Sequence, residues 1–396
     1  MNCIDRIFDE FIKVRSETEI SIEQMKDDIL KFDAIVLYGA GSAGIAFLKY
    51  LNDINVQPKY FADGKAEKWG EYCQGIEIIS PEEIINRCGS NTLVIVTINT
   101  DGKRYCKSFE EALRIGGHTG VHRRLREAGC TNVVDYTYFR RCHKLFHGDP
   151  YNLPSCSDVE NMLLNKEKVS MVYEWLEDDL SKETYEKIVK FRLIDDSIEV
   201  PTLSQENQYF EPGIYLPDDK AAFVDCGAFN GISMQTFLKI NGNKFEHYYG
   251  FEPDKYNFQM LKHYVSGLPD ELKNKADIYE SAVYDKCGKD MLYSLDGPGS
   301  FMADIGNEEV ETVTIDKVLN KNRATYIKMN IEGSELKALK GAENTVKEFK
   351  PMLAVAGYHK TWDLWEVPII IKAFREDYKI NFRSYMNHLS FVYYCV

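Results

Sequence analysis

FVDCGAFNGISMQTFL, residues 223–238, starts as an apolar run, meets Asp225, passes Gly227 and Gly231, and continues with the spacing of an amphipathic helix. In an open α/β sheet the ligand lies beyond the carboxyl ends of the strands, and glycines let the backbone come close to it. A strand that ends on a carboxylate beside bare backbone therefore predicts a ligand turn. The blander alternative is a tight turn with no ligand.

The next strand-like segment, HYYGFEPD (247–254), also closes on an acid, Glu252. A carboxylate there can accept hydrogen bonds from both hydroxyls of a ribose. The alternative is a solvated loop acid. A pyrophosphate site would run its first strand directly into G-x-G-x-x-G. Acids at two successive strand ends instead suit a ligand with a cationic end and a ribose but no phosphate, as in S-adenosylmethionine.

Further strand-like runs follow at ADIYESAVYD (276–285), ATYIKMNIEG (324–333) and PMLAVAGYHK (351–360), then KINFRSYM (379–386) and LSFVYYCV (389–396). Strands alternating with helical segments, then a closing pair, predict a parallel sheet with an antiparallel edge hairpin.

The whole chain has 396 residues, a formal net charge of −14, 44% hydrophobic and 13% aromatic residues. That length favours two domains, and the acidity argues against a nucleic-acid partner. No run reaches the roughly 18–20 apolar residues of a membrane span. The charged N-terminus and ten scattered cysteines fit reduced thiols in the cytoplasm.

Upstream, Ile4, Phe8, Phe11, Ile12, Ile22, Met25 and Ile29 recur at helical intervals, so 1–32 is expected to form packing helices. The runs 33–51, 57–64, 82–88 and 91–99 alternate strand and helix patterns, giving a Rossmann-like domain over 33–145. A helical connector is expected over 146–215, and the second α/β domain over 216–396. In YGAGSAG, Gly39, Gly41 and Gly44 satisfy G-x-G-x-x-G after a strand, with Asp63 ending the next strand. No tyrosine has a lysine four positions later, so a short-chain reductase site is not apparent.

Two resemblances add to this. QYF (208–210), FVDCGAFNGIS (223–233), GFEPDKYN (250–257), ESAVYD (280–285), TVTIDKVL (312–319), YIKMNIEGSELKALKGA (326–342) and YHKTWDLWEVPIIIK (358–372) resemble, in order, the FkbM-type methyltransferases. These are class I S-adenosylmethionine enzymes that mostly methylate hydroxyl groups. The resemblance implies a seven-stranded sheet, with Asp225, Gly227, Ala228, Asn230, Gly231 and Ser233 around the methionine end, Glu252 on the ribose, and Ser281 and Ala282 near the adenine. Residues 34–100 resemble the small sugar-nucleotide-binding domain that precedes some bacterial sugar acyltransferases. This implies a nucleotide or nucleotide-sugar on Gly39, Gly41, Gly44 and Asp63, with ligand-free packing or homodimerisation as the alternative role.

Methyl transfer to a hydroxyl needs alignment and removal of a proton. Candidates are Lys328, Asn330, Glu332, Glu335 and His359. The family motif usually has aspartate where Asn330 stands, and an amide orients a hydroxyl without accepting its proton. His359, with an ordinary pKa of about 6.5, is the favoured base, and Glu332 the alternative. Tyr209 and Phe210 could close over the cofactor, and the GPGS turn at 297–300 could border the acceptor. The histidines of HTGVH (118–122) and CHKLFH (142–147), with Cys130, Cys142 and Cys156, lack a paired C-x-x-C or an H-x-x-x-H on a clear helical pattern, so no metal is expected.

These features predict an S-adenosylmethionine-dependent methyltransferase acting on a small-molecule or glycan acceptor, such as a hydroxyl of a sugar precursor. Two rival readings stay open. One is a non-catalytic nucleotide-binding or assembly protein with a degenerate domain; the other is an N-terminal NAD(P)-dependent sugar-nucleotide oxidoreductase.

Overall fold

The structure, a computed structural model, describes residues 2–98, 106, 108–115, 120–146, 151, 154–194, 198–216, 218–293, 299–302, 306–386 and 390–396. It comprises two compact units: Met1–Lys166 with Lys187–Ile198, and Glu167–Glu186 with Glu199–Val396.

The first unit holds a six-stranded sheet of β1 (Ala34–Tyr38), β2 (Tyr60–Ala62), β3 (Tyr72–Cys73), β4 (Ile76–Ile79), β5 (Thr92–Val96) and β6 (Asn132–Asp135). Their order is β3-β4-β2-β1-β5-β6, parallel except for the β3–β4 pair. The central strands β1 and β5 are wholly buried, as a parallel sheet covered on both faces requires. Helix Cys3–Thr18 starts on an Asn2–Asp5 capping box and buries Ile4, Ile7, Phe8 and Phe11. Ile12, which the apolar spacing assigned to the same face, is 47% exposed.

The second unit contains β7 (Ala222–Cys226), β8 (His247–Phe251), β9 (Ala276–Tyr279), β10 (Ala282–Val283), β11 (Gly288–Tyr293), β12 (Phe301–Met302), β13 (Glu308–Val313), β14 (Tyr326–Met329), β15 (Met352–Ala356), β16 (Ile380–Ser384) and β17 (Phe391–Cys395). Its main sheet is seven-stranded, in the order β16-β17-β15-β14-β7-β8-β9. Strands β9, β8, β7, β14 and β15 run parallel, and β17 is antiparallel to both β15 and β16. This is the expected parallel sheet with an antiparallel edge hairpin. The hairpin's last strand pairs inward and its first forms the edge.

That edge is covered within the unit, which removes a row of unpaired backbone groups. Ser181 Oγ accepts the Phe382 amide proton at 2.9 Å, and Tyr185 packs edge-on against the Phe382 ring. Arg383 pairs with Asp178 at 2.6 Å.

A second sheet, β10-β13-β11-β12, has no counterpart in the sequence reading. The GPGS turn at 297–300 falls between β11 and β12, and its Gly297 and Pro298 lie outside the described residues. The run SELKALKGAENTVKEF forms two helices, Glu335–Lys340 and Glu343–Phe349.

Candidate functional site

The chemistry-bearing residues gather at the carboxyl ends of β7, β8 and β14. Strand β7 ends at Cys226, and the chain turns through Gly227 at φ +77° and Gly231 at φ +91° into helix Ile232–Ile240. A side chain at Gly227 would need a left-handed backbone, and its Cβ would lie 2.1 Å from the Asn330 carbonyl oxygen. The glycine therefore lets the β7 and β14 turns touch.

A cavity of about 750 Å³ opens beside these turns, within the usual range for small-molecule sites. Gly227, Phe229, Ser233 and Glu252 line it on the β7–β8 side. Ser281, Ala282 and Val283 line it beyond β9, and Lys328, Asn330, Glu332 and Ser334 form the β14 side. Tyr209 and Phe210 also face it. Of the residues expected around a cofactor, Asp225, Ala228, Asn230 and Gly231 are not part of the lining.

Asp225 lies beneath the turn, fully buried. It accepts hydrogen bonds from Ser233 Oγ at 2.6 Å and Tyr248 Oη at 2.9 Å, and pairs with Lys328 Nζ at 3.0 Å. The same ammonium donates to the Gly227 carbonyl at 2.7 Å and stands over the Tyr209 ring. Asp225 and Lys328 thus brace the turn. With its protons engaged in this way, Lys328 is a poor candidate for a proton-transfer role.

Glu252 meets the cavity directly and is 6% exposed. Its carboxylate accepts the Phe229 amide proton at 2.9 Å and the Asp254 amide proton at 3.1 Å. Burial outweighs these bonds and pushes its pKa up to about 7. Phe229, at φ +50°, supplies one of those amides and is a functional residue that sequence reasoning missed. A left-handed non-glycine residue between two glycines leaves no compositional signal.

Asn330 and Glu332 stand side by side on the β14 turn. The Asn330 amide oxygen accepts from Tyr358 Oη at 3.2 Å, so its NH₂ group is the part left for a ligand. Glu332 adopts φ +52° in the turn before helix Glu335–Lys340, with its side chain 36% exposed.

His359, expected as the base, is not part of the cavity lining. Its Nδ1 lies 2.9 Å from Glu335 Oε1 and its Nε2 lies 3.6 Å from Glu332 Oε2. Burial alone would lower its pKa, but the carboxylates of Glu335, Glu332 and Asp363 outweigh burial and raise it. Outside the cavity lining and with both ring nitrogens near carboxylates, His359 is poorly placed to take a proton from an acceptor.

In the first unit, Gly44 allows helix Ser42–Asp53 to pack on the β1 turn, since a Cβ there would lie 2.0 Å from the Gly39 carbonyl oxygen. Asp63 ends β2 and accepts the Ala40 and Lys65 amide protons, both at 3.0 Å, and pairs with Lys68 at 2.9 Å. Gly41 faces open space. His118 and His147 lie outside the described residues.

A seven-stranded sheet in this order, with a cavity at the carboxyl ends of its central strands, is the fold of a class I methyltransferase. Residues 225–393 match the family model described as the Methyltransferase FkbM domain. Among solved structures, the methyltransferase FkbM from Methylobacillus flagellatus KT has 20% identity and a TM-score of 0.68, covering 98% of this chain and 99% of its own. It shares the fold. A putative rRNA methylase from Clostridium thermocellum has 9% identity and a TM-score of 0.31, over 46% of this chain and 87% of that one. Fibrillarin from Aeropyrum pernix, crystallised with S-adenosyl-L-methionine, has 10% identity and a TM-score of 0.31, over 46% and 70%. No curated protein matches the sequence. Among the described residues, no helix is long and apolar enough to cross a membrane.

Proposed function

We propose that the chain is an S-adenosylmethionine-dependent O-methyltransferase acting on a hydroxyl of a sugar or glycan precursor. The observation that carries this reading is the buried, cation-free carboxylate of Glu252 at the wall of a cavity bounded by Gly227, Ser281 and Ala282. A carboxylate edge suits a ribose diol, and bare backbone at Gly227 suits close approach of the methionine end. The residues present therefore fit the cofactor. When bound, S-adenosylmethionine supplies an electrophilic methyl group.

The protein's part is alignment, proton removal and exclusion of water. Asn330 presents its NH₂ group to the acceptor oxygen and fixes its approach. Glu332, the open carboxylate on the same turn, would take the acceptor hydroxyl's proton. Asp225 and Lys328 hold the β7 turn in register with the β14 turn. Tyr209 and Phe210 cover the cavity's apolar side.

The sugar acceptor rests on the resemblance of residues 34–100 to a sugar-nucleotide-binding domain. The test is methyl transfer from isotopically labelled S-adenosylmethionine to a panel of nucleotide-sugars and free glycans. Glu332→Gln should lower turnover by about 10²–10⁴-fold while S-adenosylhomocysteine still binds. Cofactor binding without transfer to any hydroxyl acceptor would instead favour the non-catalytic reading.

A further inference from the structure

Behind the β14 side of the cavity lies a cluster that the methylation reading does not use. Glu335, His359 and Asp363 each bring one donor atom within 4.8 Å of the others. Glu335 and Asp363 are 0% and 1% exposed, and the His359 side chain is 8% exposed. They come from three places in the chain: the helix after β14, the loop after β15, and the first turn of helix Asp363–Phe374.

Hydrogen bonding does not account for this arrangement. Glu335 Oε1 accepts the Ile331 amide proton at 2.9 Å, but its Oε2, fully buried, has no hydrogen-bond partner. His359 Nδ1 lies 2.9 Å from Glu335 Oε1, yet neither ring nitrogen makes a hydrogen bond with adequate direction. Donor atoms bound side by side to one ion, each at about 2.1 Å, lie roughly 3 Å apart and point at the ion rather than at each other. The 2.9 Å spacing of Glu335 Oε1 and His359 Nδ1 fits that geometry, and Asp363 brings a third donor atom within 4.8 Å. The carboxylates of Glu335, Glu332 and Asp363 also surround a single imidazole, an excess of negative charge that a dication would answer.

We propose that Glu335, His359 and Asp363 bind one divalent transition-metal ion, which pins the Asn330–Ser334 wall of the cavity to the loop after β15. One imidazole with carboxylates suits manganese, iron or zinc, whereas calcium and magnesium prefer oxygen ligands throughout. Asp363 Oδ2 also accepts the Lys360 amide proton at 2.8 Å, which orients it toward the cluster. Glu332, whose Oε2 lies 3.6 Å from His359 Nε2, stands at the margin between this site and the cavity.

The test is titration of the chelator-treated full-length protein with Mn²⁺, read as loss of the free-ion paramagnetic resonance signal. Thermal unfolding is followed in parallel with and without the ion. Manganese avoids the thiols that would capture zinc. The wild-type chain should bind one equivalent and unfold at a higher temperature with the ion. Asp363→Asn keeps the bond from the Lys360 amide, and Glu335→Gln keeps the side chain's volume; each should weaken binding at least tenfold and remove the thermal shift. Near-ultraviolet circular dichroism identifies any variant that fails to fold, and the claim then rests on the other. Absence of saturable binding by the wild type would overturn the proposal. So would a bound ion whose affinity both folded variants leave unchanged.

Discussion

The turns after β1 and β7 are built alike and end differently. Each follows a buried strand with a glycine-rich turn and a helix, and each has an acid at the end of the neighbouring strand. The acids bond alike: Asp63 accepts the Ala40 and Lys65 amide protons, and Glu252 accepts those of Phe229 and Asp254. What separates them is one cation. Lys68 pairs with Asp63, and although burial works against it, the lysine and backbone bonds hold the Asp63 carboxyl below its usual range. Glu252 has no ion pair among the described residues, and burial pushes it to about 7. Asp63 is already neutralised by its own chain, whereas Glu252 remains available to hydroxyl donors. A glycine fingerprint in proper context thus does not by itself define a ligand site; the charge facing the acid matters as much.

The largest effect expected from disturbing this contrast lies beneath the β7 turn. Lys328→Met would leave Asp225 buried without its cation, and breaking such a pair costs about 3–5 kcal/mol. Urea denaturation measures the loss, and an unchanged midpoint would refute the bracing role. The next largest is at Glu252, where Glu252→Gln should weaken S-adenosylhomocysteine about 10–100-fold, the range of a hydrogen bond to a charged group.

The two acids also give stability slopes of opposite sign. The folded pKa of Glu252 lies above the ordinary carboxylate value of 4.5, so the protein loses stability as pH rises from there through about 7, and Glu252→Gln should remove that slope. The folded pKa of Asp63 is depressed below 3.8, so its contribution is present above that value and lost as pH falls through the folded pKa. The smallest effect should come from Lys68→Met. With a partly exposed lysine it should cost about 0.5–1 kcal/mol and leave S-adenosylhomocysteine affinity unchanged.

The main sheet was legible because its strands are short apolar runs ending in acids or glycines, so β7, β8, β14 and β15 could be placed from periodicity. The second sheet was harder to see. Strand β13, EEVETV, exposes Glu309 and Glu311 around a narrow buried face, and β10 and β12 are two residues each. Within the site, Glu252 could be read from its position at a strand end. The partners of Asp225 could not, since Lys328 and Tyr248 meet it only across neighbouring strands. The role of His359 turned on carboxylates brought in from Glu332, Glu335 and Asp363, a neighbourhood no local motif encodes.

Calorimetric titration of the full chain with S-adenosylhomocysteine at pH 8 and pH 6, in buffers of different ionisation enthalpy, tests the central claim most directly. A ribose diol favours the ionised form of Glu252, so the account predicts one site per chain, tighter binding at pH 8, and proton release on binding near pH 7. Absence of binding, or binding with the same affinity and no proton release at both pH values, would contradict the assignment of Glu252 and its cavity.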